Sequence, residues 1–248
     1  MTKPELGATA SGVKGESQTA GWVQRMFAEI APKYDLLNHL LSFNVDKRWR
    51  KSLLKQLDPV LANPEARILD LCCGTGDVTL ALQARAAAQI LAADFCHPML
   101  VSAQKKALQR GRTARLFEAD ALLLPVAGDS FDAISIAFGF RNLANYARGL
   151  EELWRVIRPG GILAILEFSH PRGALTNVAY GFYSRCVLPL IGQLISGSHE
   201  AYSYLPDSIA KFPQAQELEQ MMRQAGFVQT RFQLLSGGIA ALHTGIKA

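Results

Sequence analysis

The amino-acid sequence predicts an α/β fold in which helices cover a parallel sheet. Apolar runs of strand length alternate with helical stretches between residues 66 and 168. Alternation of this kind is typical of parallel strands joined by crossover helices. The chain has 248 residues, 49% of them hydrophobic, which is enough for one domain with a sizeable core.

Five strands are predicted from the apolar runs at residues 66–72, 89–95, 114–120, 131–138 and 161–168. The helices between them are predicted to begin at Asp77, to run from Pro98 to Arg110, and to lie around Asn145 to Ile157. The sequence Arg-Pro-Gly-Gly at 158–161 is predicted to separate the last of these helices from its strand.

The N-terminal region is predicted to be a disordered tail followed by helices. Residues 1–20 are small and polar, whereas apolar positions recur at helical spacing from Trp22 until Pro32. Two further helices are predicted at Tyr34–Leu41 and Asp46–Leu57. A single domain is therefore expected over residues 21–248, with residues 21–60 as its N-terminal helices.

The C-terminal region is predicted to add a helix and a hairpin. A helix over Gln214–Ala225 is expected to stop at Gly226, and the glycines of Ser-Gly-Gly at 236–238 suggest a turn between two β-like runs. Residues 171–213 interrupt the alternation and are rich in aromatic and apolar side chains. Because ligands of open α/β sheets bind at the carboxyl ends of the strands, this segment is expected to be a helical lid over a substrate.

Composition limits the compartment and the partners. The net charge of +5 permits contact with anionic lipid or nucleic acid but does not require it. The four cysteines form no Cys-x-x-Cys pair, which favours a reducing compartment. No run of 18 apolar residues and no signal peptide is present, so a cytoplasmic protein is expected.

The most informative motif is the segment ARILDLCCGTGDVTL at residues 66–80, followed by Asp94 at the end of the next apolar run. A turn at Gly74, Thr75 and Gly76 lets the backbone approach a ligand closely, because glycine has no Cβ. A carboxylate at the end of the second strand can accept both hydroxyls of a ribose. Together these features predict a nucleoside site.

Details of the turn favour a nucleoside without phosphates. The dinucleotide fingerprint needs a third small residue where this chain has Thr79, whose branched side chain is expected to hinder the contact between helix and strand. No basic residue is expected to lie near the turn to meet a pyrophosphate. S-adenosylmethionine fits better, since its sulfonium and ammonium favour acidic neighbours such as Asp70 and Asp77. Asp120 and Ala121 are expected to meet the adenine. The alternative is that Asp70, Asp77 and Asp120 cap helices.

Longer segments carry a resemblance to a known family. The segments at 70–77, 119–143 and 153–171 resemble the class I methyltransferases. With YDLLNHLLSFNVDKRWR at 34–50, FGFRN at 138–142, AYSYLPDSIAKFP at 201–213 and GGIAALHTGIK at 237–247, the chain is similar to the ubiquinone/menaquinone biosynthesis C-methyltransferase family. The resemblance covers residues 22–247.

The resemblance implies a Rossmann-like seven-stranded sheet whose last strand is antiparallel, and methylation of a ring carbon on a polyprenylated quinol. It places the contacts with S-adenosylmethionine on Thr75, Asp94, Asp120 and Ala121. A further contact is the family's serine, which is Ala137 here, so that only a backbone contact could remain. No metal is expected, because the methyl group is already activated by the sulfonium.

The chemistry of a quinol ring carbon predicts a second set of residues. The ring becomes a good nucleophile once a hydroxyl is deprotonated, and phenols titrate near 10. Arg141 is expected to stabilise the quinolate and Asn142 to orient it; the alternative is that Arg141 caps a helix or pairs with Glu167. The candidate bases are His199, Tyr202, Asp207, Tyr34 and Asp35.

Two surfaces are predicted around this site. Apolar residues of the lid and the N-terminal helices are expected to line a tunnel for an isoprenoid tail or to form plain core. Four cations, Lys47, Arg48, Arg50 and Lys51, flank Trp49 and suggest peripheral contact with anionic headgroups at the inner face of a membrane, with Trp49 at the interface. The alternative for the cations is a solvated helix face.

The sequence leaves rival functions open. A nucleic-acid methyltransferase is disfavoured because Ala137-Phe138-Gly139 matches neither an Asn-Pro-Pro-Tyr loop nor a Pro-Cys nucleophile, so no nucleic-acid partner is expected. A non-catalytic binding module and a methyltransferase acting on a sterol or phenol are two further rivals. Demethylmenaquinol is favoured over 2-methoxy-6-polyprenyl-1,4-benzoquinol as the acceptor, and one enzyme could serve both. A homo-oligomer is left open.

Overall fold

The structure, a computed structural model, describes residues 6–8, 15–31, 34, 42, 44–171 and 199–248 of the chain, with side chains in the last range from residue 204 onward. The strands are β1 (Arg67–Leu71), β2 (Gln89–Asp94), β3 (Arg115–Glu118), β4 (Phe131–Ala137), β5 (Ile157–Phe168), β6 (Phe227–Leu235) and β7 (Ala240–Lys247). The helices are α1 (Glu16–Ile30), α2 (Val45–Leu61), α3 (Asp77–Gln83), α4 (His97–Gln109), α5 (Tyr146–Val156), α6 (His199–Lys211) and α7 (Ala215–Gln224).

Seven strands form one sheet in the order β3-β2-β1-β4-β5-β7-β6. The first five strands are parallel, and β7 lies between β5 and β6 and is antiparallel to both. The predicted α/β sheet with an antiparallel last strand is therefore confirmed. Because β1 is paired in parallel with β2 on one side and with β4 on the other, the carboxyl ends of these three strands lie together at one edge of the sheet.

Two apolar layers hold the sheet between helices. On one face, Trp49, Leu53, Leu57 and Leu61 of α2 pack in one cluster with buried residues of β1, β4 and β5. On the other face, apolar residues of α5 and α7 form a second cluster with the sheet. These strands are buried on both sides, which is why their sequences read as near-continuous apolar runs.

The N-terminal prediction was wrong in part. Helix α1 begins at Glu16, six residues before the predicted start, and its Thr19 and Val23 are buried. The backbone of residues 6–8 bonds to the segment before α5: the Ala8 amide donates to the Leu143 carbonyl at 2.8 Å, and the Tyr146 amide to the Leu6 carbonyl at 2.9 Å. These backbone bonds and the buried face of α1 offset the ordering entropy that composition alone assigned to a disordered tail.

Other boundaries shift by a few residues. Helix α2 runs on through Pro59 to Leu61, because a proline in the last turn removes only one amide near the helix end. Strand β5 begins at Ile157, so the expected breaker at residues 158–161 is an irregular start of the strand, where Phe131 pairs with Ile157 and Ala133 with Ile162. The predicted hairpin between β6 and β7 is present.

Two predicted elements fall largely outside the described residues. They are the helix at residues 34–41, of which only Tyr34 is described, and the first part of the lid, residues 172–198. Within the described part of the chain, no helix is both long and apolar enough to cross a membrane.

Candidate active site

The carboxyl ends of β1 and β4 adopt a backbone conformation that is unusual outside glycine. Cys72 has φ 55° and Phe138 has φ 61°, both in the left-handed region. A Cβ added to Gly139 would lie 2.3 Å from the Cβ of Cys72, so the segments after β1 and β4 pack too closely for a side chain at residue 139. Strained residues of this kind cluster at ligand sites, and here they bend the chains around a cleft.

The glycine turn brings its backbone to Asp94. Gly74 and Gly76 have φ 54° and 83°, which glycine adopts without steric cost. The amide of Gly74 donates to Asp94 Oδ2 at 2.8 Å, and the amide of Cys96 donates to Oδ1 at 2.9 Å. A carboxylate has about four acceptor positions, so these two bonds fix its orientation and leave acceptors for a ribose.

A cleft of about 680 Å³, open to solvent, lies against these residues. Its polar wall includes Asp94, Asp120 and Asn142, and its apolar wall includes Phe27 of α1 and Met99 of α4. A smaller pocket of about 350 Å³ adjoins it through shared wall residues, Tyr34, Cys72 and Gly74. The sequence-predicted residues Thr75, Asp70 and Ala137 line this smaller pocket.

The expectation that no basic residue lies near the turn was wrong. Lys106 of α4 donates to Thr75 Oγ1 at 3.0 Å and to Asp77 Oδ1 at 2.8 Å. Arg50 of α2 donates to Asp77 Oδ2 at 2.8 Å and also pairs with Asp46 at 2.9 Å. Helix packing brings these cations to the turn, but two carboxylates balance their charge, so the turn still carries no surplus of positive charge for a pyrophosphate.

Asp70 is a buried acceptor, not a helix cap. Its carboxylate accepts from Thr79 at 2.6 Å and from Ser135 at 2.9 Å, and only 1% of the residue is exposed. Burial raises the pKa of Asp70 to about 6, and the two hydrogen bonds lower it in part. Thr79 therefore does not hinder the contact between helix and strand, since its hydroxyl joins α3 to β1.

The other acidic residues and the thiols define the electrostatics of the cleft. Burial raises the pKa of Asp94 above its usual value, and the amides that it accepts lower it in part. Burial and the nearby charge of Asp94 raise the pKa values of Cys72 and Cys73 well above their usual range, so both thiols stay protonated. Asp120 accepts from the Leu122 amide at 2.9 Å and lines the cleft beside Ala121.

Arg141 is held by Glu167 rather than directed at the cleft. Its Nη1 donates to Glu167 Oε1 at 2.9 Å and to the Phe138 carbonyl at 2.5 Å, and both charged groups are almost fully buried. Burial is the largest single influence and opposes the charge of Arg141, but Glu167, Tyr34 and Tyr204 together raise the pKa of the guanidinium above its usual value. The ion pair with Glu167, which was the alternative expectation, is therefore present, whereas the contact of Arg141 with the quinolate stays a prediction.

Asn142 does line the cleft, and a residue that the sequence did not single out orients it. The hydroxyl of Tyr204 on α6 donates to Asn142 Oδ1 at 3.1 Å. Burial raises the pKa of Tyr204 to about 12, so this donor keeps its proton. The Nδ2 group of Asn142 has no hydrogen-bond partner among the described residues, which leaves a donor for a ligand. Only the position of Tyr204 within the segment 201–213 could have drawn attention to it.

The candidate bases are separated by the fold. Tyr34 lines both the cleft and the smaller pocket. Asp207 does not reach them: its carboxylate accepts from Lys211 at 2.7 Å on an exposed face of α6. Asp35 and the side chains of His199 and Tyr202 lie outside the described residues.

The predicted role of Trp49 at a membrane surface was wrong. Trp49 is 6% exposed, donates to Ser236 Oγ at 2.9 Å and packs against Phe138 and Phe168. Lys47, Arg48 and Lys51 of the same helix are exposed. The 3.6-residue period of the helix separates them from Trp49, a distinction that a run of adjacent letters conceals.

The sheet order and a cleft that begins at the glycine turn and Asp94 define an S-adenosylmethionine-dependent methyltransferase of class I. The model of the ubiE/COQ5 methyltransferase family matches residues 13–247. The chain therefore belongs to the ubiE/COQ5 methyltransferase family.

Curated relatives are similar over nearly the whole chain. Demethylmenaquinone methyltransferase of Thermus thermophilus is 50% identical over 89% of this chain and 99% of its own length. The protein of the same name from Deinococcus radiodurans is 46% identical over 94% and 96%. Ubiquinone/menaquinone biosynthesis C-methyltransferase UbiE of Geotalea daltonii is 42% identical over 91% and 96%.

Solved structures share the fold at low identity. The cyclase SpnF superposes with a TM-score of 0.69 at 18% identity and covers 98% of both chains. A methyltransferase of Thermotoga maritima superposes with a TM-score of 0.62 at 18% identity, over 90% of this chain and 99% of that chain. At such identities these likenesses concern the fold alone.

Proposed function

We propose that this protein methylates a ring carbon of demethylmenaquinol to give menaquinol, with S-adenosylmethionine as the methyl donor. The observation that carries the proposal is one continuous cleft in which the ribose-binding carboxylate Asp94 and the amide of Asn142 share a largely apolar wall. Relatives that are named demethylmenaquinone methyltransferase support the choice of acceptor.

The donor end is built from the ends of β1, β2 and β3. The bound donor supplies an electrophilic methyl group on a sulfonium. Asp94 accepts hydrogen bonds from a ribose, Gly74 leaves room for close backbone approach, and Ala121 gives an apolar surface for adenine. The fit is supported by a carboxylate already oriented by two amides and by cations already paired with carboxylates.

The acceptor end lies at Asn142 and Tyr34. The amide of Asn142, oriented by Tyr204, can donate to a ring oxygen and so favour the quinolate, because a hydrogen bond to the charged form lowers a pKa. Tyr34 lies at the junction of cleft and pocket and stays the candidate that moves the proton. Arg141 acts as a positioning residue through its bond to Glu167 and contributes positive charge behind the site.

The alternative acceptor is a methoxy-polyprenyl-benzoquinol, favoured by relatives named for both pathways. Both rings present an unsubstituted carbon beside a hydroxyl. The apolar wall of the cleft suits the larger fused ring, since more apolar area is removed from water. Peripheral membrane contact, the absence of a metal and of a nucleic-acid partner, and the oligomeric state stay predictions.

The test is a transfer assay with both acceptors. The protein is incubated with ¹³C-methyl S-adenosylmethionine and either chemically reduced demethylmenaquinone or the benzoquinol, and the products are analysed by mass spectrometry and by NMR of the ring methyl. We expect a ring C-methyl product from the naphthoquinol, with slower or no transfer to the benzoquinol. An Asp94→Ala variant serves as the inactive control.

Two outcomes would overturn the proposal. Faster transfer to the benzoquinol than to demethylmenaquinol would reverse the assignment of the ring. Transfer to neither quinol by a protein that binds S-adenosylhomocysteine in calorimetry would show that the acceptor belongs to another class.

A further inference from the structure

Residues 6–8, which we call the strap, run against the segment between β4 and α5. The amide of Ala8 donates to the carbonyl of Leu143 at 2.8 Å, and the amide of Tyr146 donates to the carbonyl of Leu6 at 2.9 Å. Ala8 is buried, whereas the side chain of Leu6 is exposed. The strap precedes the part of the chain that the family model matches, so the family likeness does not account for it.

Gly7 lets the strap approach the backbone of this segment closely. A Cβ at residue 7 would overlap the carbonyl group of Ala144 and would lie 3.0 Å from the amide nitrogen of Asn145. These atoms belong to the backbone, so they cannot move aside unless the whole segment shifts. Glycine, which has no Cβ, therefore allows the two backbone hydrogen bonds on either side of it to form together.

Helix α1 binds the same segment from a second side. Glu16, in the first turn of α1, accepts from Asn145 Nδ2 at 2.9 Å and from Arg148 Nη1 at 2.5 Å. Two turns further on, Gln24 Nε2 donates to the carbonyl of Phe95 at 2.6 Å. Helix α1 therefore lies across the cleft, from the beginning of α5 to the end of β2.

The segment that the strap holds forms one wall of the cleft. Leu143 and Ala144 line the cleft directly after Asn142, whose amide is proposed to meet the acceptor. Tyr204 fixes the side chain of Asn142, whereas the strap bonds to the backbone that follows it. The position of this backbone matters for turnover, because a misplacement of about 1 Å in an orienting group can cost about a hundredfold in rate.

We propose that the strap is a positioning element for the acceptor, and that Gly7 is the residue on which it depends. The strap holds residues 143–146 so that Asn142 and the wall beside it meet the acceptor ring in the reactive geometry. The donor end is built on Asp94 and the glycine turn, which the strap does not contact. This inference rests on the proposed function, in that Asn142 marks the acceptor end, but not on which quinol is methylated.

The test compares two variants that displace the strap by different means. Gly7→Ala adds a Cβ that overlaps Ala144, and Ala8→Pro removes the amide that donates to Leu143. We expect kcat/KM for the quinol to fall about tenfold or more in both, while the Kd for S-adenosylhomocysteine in calorimetry changes by less than about twofold. The matched control is Gly21→Ala in α1, where the nearest neighbour of the new Cβ would be 3.7 Å away.

A second measurement does not depend on any acceptor. Hydrogen exchange of the backbone amides of residues 142–146 is followed by mass spectrometry in protein saturated with S-adenosylhomocysteine. We expect exchange about tenfold faster in both strap variants and unchanged in the control, because the Tyr146 amide loses its partner. Exchange in α7, which is remote from the strap, should stay as in the wild type and so report an intact fold.

Three results would overturn the proposal. Exchange of residues 142–146 that is as slow in both variants as in the wild type would show that the strap does not hold this segment. Faster exchange with an unchanged kcat/KM would show that the acceptor does not depend on it. Equal losses of quinol turnover and donor affinity would make the role of the strap purely structural.

Failure of the proposed function would be seen separately. It would be a wild-type protein that binds S-adenosylhomocysteine and methylates neither quinol, a result that needs no variant. The exchange comparison would still decide whether the strap holds residues 142–146.

Discussion

At the scale of single residues, the site depends on polar groups whose burial changes their chemistry. Asp70 is buried at the end of β1, and Cys72 and Cys73, which follow it, are half-buried; burial raises the pKa of all three groups. Asp94 differs because two amides orient it and it still lines the cleft. Asp70 therefore joins β1 to α3 and β4 through its two hydrogen bonds, whereas Asp94 stays the predicted acceptor for the ribose, although both are aspartates at strand ends.

The raised pKa of Asp70 predicts a pH-dependent stability. The folded protein binds this proton more tightly than the unfolded chain, since the pKa is about 6 against an ordinary value of 3.8. The contribution of Asp70 to stability is therefore greatest below about pH 4 and falls as the pH rises through about 6. Asp70→Asn cannot ionise, so its unfolding free energy relative to wild type should rise across that window by on the order of 3 kcal/mol.

Urea unfolding of both proteins at several pH values between about 4 and 7 measures this difference. Comparing the two proteins cancels the titration of the other groups. A difference that stays flat over the window would contradict a raised pKa for Asp70.

The bond from Tyr204 to Asn142 predicts a selective loss of turnover. Tyr204→Phe removes the hydroxyl that fixes the amide and keeps the ring that packs 5.2 Å from Trp22. We expect kcat with the quinol to fall about tenfold or more, in keeping with the loss of one oriented polar contact in the transition state. The affinity for S-adenosylhomocysteine should not change, because Asn142 lies at the acceptor end. A parallel fall in both quantities would show that Tyr204 only supports the fold.

At the scale of elements, the site lies where the chain leaves β1 and β4. Parallel pairing of these strands puts Cys72 and Phe138 at the same edge of the sheet, and both residues have left-handed φ values. The ion pair of Arg141 and Glu167 then ties the end of β4 to β5. Removing one partner of a buried pair leaves an uncompensated charge, so Arg141→Ala is expected to lower stability as well as turnover.

The close packing of Gly139 against Cys72 can be tested by adding a methyl group at residue 139. Gly139→Ala would place a Cβ 2.3 Å from that of Cys72, so we expect the unfolding free energy to fall by about 1–3 kcal/mol and donor binding to weaken. Adding Cys72→Gly should restore both, because it removes the clash and relieves the left-handed φ of 55°. Gly21→Ala, whose nearest neighbour would be 3.7 Å away, is the control that should not lose stability. A Gly139→Ala protein as stable as wild type would contradict the close packing of Gly139 against Cys72.

At the scale of the whole molecule, one helix serves two surfaces. The inner side of α2 carries Trp49 into the core and Arg50 to the smaller pocket, while Lys47, Arg48 and Lys51 face outward. An acceptor with an isoprenoid tail would come from a lipid surface. Peripheral contact with a membrane therefore stays a prediction that rests on the outward cations. Trp49 does not support it, because its side chain is buried.

Sedimentation with anionic liposomes tests this surface. The triple variant Lys47→Glu, Arg48→Glu and Lys51→Glu should lose most of its bound fraction at low ionic strength, because each cation near an anionic surface contributes about 1 kcal/mol. The matched control reverses three exposed cations elsewhere, Lys105, Arg110 and Arg115, and so has the same net charge. Equal losses in the two variants would indicate dependence on net charge alone, and no loss would exclude the α2 surface.

The sequence by itself determined the sheet, the glycine turn, Asp94 and the family, because these depend on local periodicity, backbone geometry and contiguous motifs. The N-terminal segment was predicted less well, since its order depends on contacts with Leu143 and Tyr146, far along the chain. Only the tertiary structure separated Trp49 from the cations beside it in sequence and Arg141 from Asn142. It also gave Asp70 and Asp94, which both lie at strand ends, different hydrogen-bond partners. It also brought Arg50, Lys106 and Tyr204 to the site from separate helices. The physical reason is that burial and pairing between distant elements set the direction and charge of a side chain, and neither is encoded in the spacing of residues along the chain.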